Sequence, residues 1–275
     1  MRVLRDLCHL HRPSLVCIVE PMVVFTSISS SLWSSLSLHL MGLNDRGGLL
    51  PTIWVFACDS FPDAQIILFH EKYLTVSITV NSQLHYFTFI YTSMSTIVRR
   101  SLWQSLRNMV SLVSSSWLVV GDFNMVLGDH ESLSLHPPAC SSCDEDFKSV
   151  IDDCDLIGVR SQSARFTWAR GHYPHTRVWR RLDRALVSEG SISCWRDISY
   201  VALHNRFSDH FPLVIRLSDI VNVSPTPFRF QSIWLDHPDF MALVRHIWSS
   251  SSVGNPPQVV INKLKRLKNA LKTWN

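Results

Sequence analysis

The stretch Trp117-Leu118-Val119-Val120-Gly121-Asp122-Phe123-Asn124 decides how this chain is read. A short apolar run ends abruptly in a carboxylate and a carboxamide. As a buried strand it delivers Asp122 and Asn124 together to the rim of a sheet, because side chains i and i+2 point the same way. An acceptor beside a donor is what a site needs to hold water next to a phosphate. Downstream, Ser208-Asp209-His210 precedes a second apolar run, Phe211-Pro212-Leu213-Val214-Ile215. Two strand ends carrying Asp, Asn and His point to hydrolytic chemistry more than to packing.

Working outward from these runs, residues 2–12 read as a helix stopped by Pro13, and Leu15–Val19 as a buried strand with Glu20 at its end. Asn44-Asp45-Arg46-Gly47-Gly48 is a turn signal. Strands are expected around 52–57, 65–69, 73–80 and 84–91. In Tyr73–Val80 the alternation puts Thr75, Ser77 and Thr79 on one face. Asn81-Ser82 makes a hairpin between the last two of these strands. Leu102, Leu106, Met109 and Val110 share one helical face; so do Phe147, Val150, Ile151 and Cys154, with a start near Ser142 or Cys143. Hairpins interspersed with a few helices predict an α+β sandwich of mixed sheets.

The chain has 275 residues, 46% of them hydrophobic, which is enough for one large domain with or without an appendage. Ten Trp and fourteen Phe argue against disorder. A formal net charge of +4 is compatible with a polyanionic partner. Seven scattered Cys disfavour a disulfide framework and favour a reducing compartment. Residues 14–40 are apolar, but Glu20, Pro21 and seven Ser between Ser27 and Ser37 break the run. A central carboxylate costs about 2.5–3.5 kcal/mol on insertion, so no membrane span is expected. No small-residue cleavage site supports a signal peptide. Composition shifts near Asp219, dividing the chain into a domain over 1–218 and a segment over 219–275. In the latter, Val223-Ser224-Pro225-Thr226-Pro227 reads as a linker, and Leu264, Leu267, Leu271 and Trp274 form a helical stripe among five Lys or Arg.

Three constellations carry chemistry. Glu20, Asp122 and Asp209 each end or border an apolar run, and their hard oxygens suit Mg²⁺ or Mn²⁺; each alone would be an ordinary strand-end residue. His210, beside Asp209, can transfer a proton or stabilise charge on a phosphoryl oxygen, given a third group to orient it. Asp183, interrupting the apolar run Arg181–Val187, is the available partner. The span Arg160–Arg184 holds seven Arg, no Lys and one acid, with Phe166, Trp168, Tyr173 and Trp179 interleaved. Guanidinium forks match phosphates and aromatic faces stack on bases, so Arg165, Arg170, Arg177, Arg180 and Trp168 are the expected nucleic-acid contacts. The alternative is a solvated hairpin whose aromatics face the core. His136, Cys140, Cys143 and Cys154 loosely imitate a zinc set, but there is no second close pair and Cys154 fits a buried helix face.

In order, Glu20, Phe89-Ile90-Tyr91, Gly121-Asp122-Phe123-Asn124, Arg181-Leu182-Asp183-Arg184 and Ser208-Asp209-His210 resemble the endonuclease/exonuclease/phosphatase superfamily over about residues 2–217. That superfamily includes deoxyribonuclease I, abasic-site endonucleases and the endonuclease domains of non-LTR retrotransposons. Asn44–Leu50, Arg99–Trp103, Arg165–Trp168 and Arg181–Leu186 are similar to plant retrotransposon copies, in which a reverse transcriptase follows; Phe228–Gln231 and the basic 262–274 helix resemble the connecting region. The resemblance implies a four-layer α/β/β/α sandwich of the deoxyribonuclease I type.

It also implies roles. Glu20 binds the divalent metal, and Asp209 lines the metal side. Asp122 positions or deprotonates the attacking water, and Asn124 holds a phosphate oxygen. His210, oriented by Asp183, stabilises the phosphorane charge, while Tyr91 contacts the scissile phosphate. Family members usually begin with a strand bearing an Asn, whereas this chain starts at the following helix. A missing inner strand would leave ladder groups unpaired and an apolar slot open, with weakened stability and reduced or no activity. The leading expectation is therefore a metal-dependent DNA-nicking phosphodiesterase of retrotransposon origin, with DNA as partner, no small-molecule cofactor and, from the DNA role alone, a nuclear location. The alternatives are an inactive nucleic-acid-binding remnant, or a phosphatase of the same superfamily acting on inositol or sugar phosphates.

Overall fold

The computed structural model describes residues 2–113, 116–134, 142–163, 165–171, 173, 176–203, 208–218, 239–251 and 256–274. In chain order the elements are α1 (Arg2–His11), β1 (Leu15–Val19), α2 (Ser30–Ser35), β2 (Leu38–Leu43), β3 (Ile53–Cys58), β4 (Gln65–His70), β5 (Tyr73–Val80) and β6 (Gln83–Tyr91). They continue with α3 (Thr96–Met109), β7 (Ser116–Asp122), β8 (Ser132–Leu133), α4 (Ser142–Asp153), β9 (Leu156–Gly158), β10 (Trp168–Arg170), β11 (Val178–Arg180) and β12 (Asp183–Ser188). The last are α5 (Glu189–Cys194), β13 (Asp197–Ala202), β14 (Leu213–Ser218), α6 (Phe240–Ser249) and α7 (Pro256–Trp274). They fall into two compact units, residues 1–221 and 222–275. Among the described residues, no helix is long and apolar enough to cross a membrane.

Three cores stack the first unit into layers. A six-stranded sheet runs β4-β5-β6-β7-β12-β9. One face meets α3 and α4 through Leu102, Trp103, Leu106, Phe147 and Val150, packed on Tyr73, Ile90, Trp117, Val119 and Leu186. Its other face, through Leu74, Val76, Phe89, Leu118, Val120 and Ala185, meets Ile53, Val55, Tyr200, Ala202 and Phe211. Those residues belong to, or adjoin, two smaller sheets, β1-β3-β2 and β13-β14. Beyond them α1 and α2 cover Trp54 and Phe56 with Cys8, Leu32 and Trp33. The order is helix, sheet, sheet, helix, the sandwich expected from the sequence. A small fourth sheet, β10-β11-β8, carries the Arg-rich hairpin.

Some expectations need correction. β1 is half-buried at all five positions rather than buried. Among the described residues it pairs with β3 alone, as β14 pairs with β13 alone, so both are edge strands despite their apolar sequences. α2 arises from the Ser-rich stretch, and β2 just after it, where no element was expected. Asp183 opens β12 rather than interrupting it. The polar face of β5 is largely internal: Thr75 is fully buried and its hydroxyl meets that of Thr88 at 2.9 Å, which also accepts the Trp117 indole N–H at 2.8 Å. The hairpin at Asn81-Ser82 forms as read, both residues at positive φ (51° and 63°), the geometry of a tight two-residue turn.

In the second unit α6 and α7 pack through Phe240, Leu243, Val244, Leu267 and Leu271, while Leu264 of the expected stripe is exposed. The 223–227 linker and the 228–231 segment lie outside the described residues. So do His136, Cys140 and the side chain of Cys143 from the loose zinc set; Cys154 is buried in the helix-side core.

Candidate active site

Strand register puts three polar residues in one row. β6 and β7 are parallel neighbours with Tyr91 opposite Asp122, and β7 and β12 are antiparallel with Asp122 opposite Asp183. All three lie at the same end of the six-stranded sheet. Gly121 makes the row possible: at φ 146°, a Cβ there would sit 1.9 Å from the Ile90 carbonyl oxygen. Asn124 follows at φ 48°, a left-handed conformation that Asn tolerates better than most residues. Its amide N–H bonds Asp122 Oδ1 at 2.8 Å, and its side-chain NH₂ bonds Asp122 Oδ2 at 3.0 Å and the Thr92 carbonyl at 2.9 Å. Asn124 thus fixes the Asp122 carboxylate.

His210 enters from the loop before β14. Its Nδ1 donates to Asp183, 3.0 Å from Oδ2, and its Nε2 lies 3.9 Å from Asp122 Oδ2. Asp122, Asp183 and His210 thereby present donor atoms all within 4.8 Å of one another. Burial and the neighbouring Asp183 charge push Asp122 up to about 7. Burial alone would lower His210, but the hydrogen bond and charge of Asp183, with Asp122 and Asp209, outweigh it and hold the imidazole at about 9. His210 is thus biased toward its protonated form and Asp122 toward its neutral one.

Glu20, at φ 46° just past β1, is hung by its own N–H on the Thr52 carbonyl at 2.9 Å. Its carboxylate accepts the Tyr91 hydroxyl, and burial together with that contact raises the Tyr91 phenol well above its ordinary value. Through Tyr91, which stands opposite Asp122 in register, Glu20 lies beside the row, and its charge is felt at Asp122. Asp209 is placed differently from a free metal ligand: its Oδ2 accepts the Trp168 indole N–H at 3.0 Å, and its carbonyl accepts the Ala169 N–H at 2.9 Å.

The Arg-rich hairpin is thereby tied to the His210 loop, with Trp168 bridging to His210 across strands. Trp168 is half-buried and spends its indole N–H inside the protein. Arg170 and Arg177 are exposed, the latter lying 4.4 Å over the Trp179 ring. Arg165 donates to the His130 carbonyl, and the buried Nε of Arg180 has no hydrogen-bond partner among the described residues. The aromatics divide: Tyr173 is exposed, whereas Trp179 packs edge-on against Phe211.

Sequence reading missed Thr167 in this role. Its fully buried hydroxyl accepts the N–H groups of Leu182 and Asp183 at 3.1 and 2.9 Å, and its carbonyl accepts the Phe211 N–H at 2.7 Å. It therefore locates Asp183 and the His210 loop relative to one another. The signal was its place in the Arg165–Trp168 motif, where a Thr between two aromatics reads equally well as an ordinary strand residue.

The endonuclease/exonuclease/phosphatase family pattern matches residues 1–210. This chain belongs to that family. No curated protein sequence matches it significantly. Similar solved structures include the endonuclease domain of TRAS1, a telomere-specific non-LTR retrotransposon (13% identity, TM-score 0.59, 78% of this chain and 90% of that one). An AP endonuclease from Archaeoglobus fulgidus is 13% identical with a TM-score of 0.60, covering 78% and 93% of the two chains. The Neisseria 3′ phosphatase NExo, bound to a product DNA hairpin, is 15% identical with a TM-score of 0.59, covering 79% and 93%. At these identities the likeness is one of fold.

Family members generally use divalent metals, and the residues here fit such an ion. Two buried carboxylates, Asp122 and Asp183, face each other, and burial together with the Asp183 charge raises Asp122. A hard cation would relieve their repulsion.

Proposed function

We propose that this protein is a divalent-metal-dependent phosphodiesterase that nicks DNA, of retrotransposon origin. The observation that carries the reading is His210, standing between Asp183 and Asp122 while the loop that bears it is bonded to the Arg-rich hairpin. A cationic donor and an acceptor carboxylate at one strand end serve in-line attack of water on phosphorus. Asp122, ionised, accepts the proton of the attacking water. Asn124 holds that carboxylate in place. His210 donates a charge-assisted hydrogen bond to a non-bridging oxygen as negative charge grows there, and Asp183 keeps Nε2 aimed at the site. Glu20, with Asp122 and Asp183, would hold Mg²⁺ or Mn²⁺, which would supply Lewis acidity at the phosphate, and Asp209, its Oδ2 on the Trp168 indole N–H, would border the metal side. Tyr91 orients Glu20 and borders the scissile phosphate. Arg165, Arg170, Arg177 and Arg180 lead the DNA backbone toward the row.

The fold of TRAS1 and the motifs Arg165–Trp168 and Arg181–Leu186 support the retrotransposon origin, and with it a reverse transcriptase in the parent element. A plasmid-nicking assay with Mg²⁺ tests the activity. The parent should relax supercoiled DNA, while Asp122→Ala and His210→Ala should fall by on the order of 100-fold or more. A parent no faster than the double variant defeats the proposal. One observation favours a second reading, an inactive nucleic-acid-binding remnant: the one-sided pairing of β1, the strand that delivers Glu20. DNA binding without nicking would select it.

A further inference from the structure

Behind the row of site residues lies a second charged group. Glu131 and Arg184 are 2% and 1% exposed. Arg184 follows Asp183 on β12, so its side chain leaves the opposite face of the sheet. There its guanidinium carbon lies 5.7 Å from the centroid of the Phe147 ring, in the helix-side core. Its two terminal nitrogens grip Glu131 as a fork, Nη1 to Oε1 at 2.6 Å and Nη2 to Oε2. Nη2 also donates to the carbonyls of Met125 and Arg181, each at 3.0 Å. Glu131 in turn accepts the Leu127 N–H at 2.6 Å, and its own carbonyl accepts the Arg181 N–H at 3.0 Å. Burial works against the Glu131 charge, but the Arg184 fork outweighs it and holds the carboxyl below the ordinary carboxylate range.

The fork itself, the Arg184 bond to the Met125 carbonyl and the Arg181 N–H on the Glu131 carbonyl join two segments, while the Leu127 and Arg181-carbonyl bonds brace each segment internally. One is the loop 123–131, which begins at Phe123 and carries Asn124. The other is Arg181–Arg184, which carries Asp183. The Phe123 N–H on the Leu182 carbonyl, at 3.0 Å, closes the joint on the site side. Two catalytic carboxylates from different strands must hold their spacing to within fractions of an ångström, and a buried bidentate pair is a stiff way to set it.

We propose that Glu131 and Arg184 are positioning residues: a buried clamp that locks the Asn124 loop to the Asp183 strand and so sets the Asp122–Asp183–His210 geometry. The kinetic consequence rests on the DNA-nicking reading; the clamp itself does not.

The test uses the full chain and the double variant Arg184→Met/Glu131→Leu. Replacing a buried ion pair by apolar groups of similar volume is often neutral for stability. If the pair only stabilises the fold, the double variant regains both thermal midpoint and nicking. The clamp predicts a midpoint within about 3 °C of the parent, kcat lower by on the order of 100-fold, and KM for plasmid DNA within about twofold. Amide exchange over residues 123–131 should quicken by about tenfold while β5 and β6 stay protected. Arg184→Lys, which keeps the charge but not the fork, is the second variant and should show the same kcat and exchange signature. Recovered kcat in the double variant, or unchanged exchange over 123–131 in both variants, overturns the proposal. If the parent itself does not nick above Asp122→Ala, the nuclease reading has failed, and the exchange measurement alone decides the clamp.

Discussion

Asp183→Asn should move the pH dependence of the protein in a calculable way. His210 is held at about 9 against an ordinary 6.5, a preference for imidazolium worth about 3 kcal/mol at about 1.4 kcal/mol per pH unit. The ring is only 25% exposed, so solvent screens little of this. Removing the Asp183 charge leaves burial as the strongest influence, and the imidazole should titrate at 6.5 or below. At pH 8 about nine-tenths of the parent would be protonated, against about 3% of the variant. Nicking that runs through imidazolium then loses about 30-fold at pH 8 from titration alone, and little at pH 6. The parent-to-variant ratio should therefore change by more than about tenfold between those pH values. The linkage runs the same way. A folded-state value raised above the unfolded one gives stability that is full below pH 6.5 and is lost as pH rises through about 9; Asp183→Asn should flatten that loss. The assays are single-turnover nicking against pH and NMR titration of His210 in metal-free protein. A ratio independent of pH, with a His210 value unmoved in the variant, would refute the reasoning.

Burial and Asp183 raise Asp122 toward about 7, so its contribution to the stability of the metal-free protein should be lost as pH climbs from 3.8 through about 7. Mg²⁺ should accordingly raise the melting temperature more at pH 8 than at pH 5, with EDTA reversing it; equal shifts would count against the carboxylates as its holders. Arg170→Gln with Arg177→Gln should shallow the slope of log affinity against log salt by about 2, read by DNA titration at several ionic strengths. An unchanged slope would remove both from the interface. Phe147 is fully buried between Trp103 and Phe123, with ring centroids 4.9 and 5.0 Å away, so Phe147→Ala should cost about 3–5 kcal/mol in urea unfolding. A cost under about 1 kcal/mol would mean the helix-side core is packed otherwise.

What could be read from the sequence follows the range of the forces involved. β5, β6 and their hairpin were legible because alternation and an Asn-Ser turn are local signals. α3 and α4 announced themselves by helical spacing. α2 did not: its helix rests on a Ser29 cap and on burial of Leu32 and Trp33 against β3, which no local pattern records. Asp122, Asp183 and His210 were legible because strand ends in apolar surroundings make polar residues conspicuous. Register then supplied what spacing could not, setting Tyr91, Asp122 and Asp183 in line. Glu131 and Arg184 stayed hidden because their partnership spans 53 residues and sits behind the sheet. Trp168 was legible as an aromatic among arginines, but its bond to Asp209 depends on how the hairpin folds over the His210 loop.

The one-sided pairing of β1 and β14 has a practical corollary. Each border combines strand backbone with apolar neighbours such as Val16, Ile18, Leu213 and Ile215. Such borders recruit extended polypeptide, including a second molecule of the same kind. Concentration then becomes a hidden variable of any assay. Apparent size should grow as stock solutions thicken and fall back on dilution.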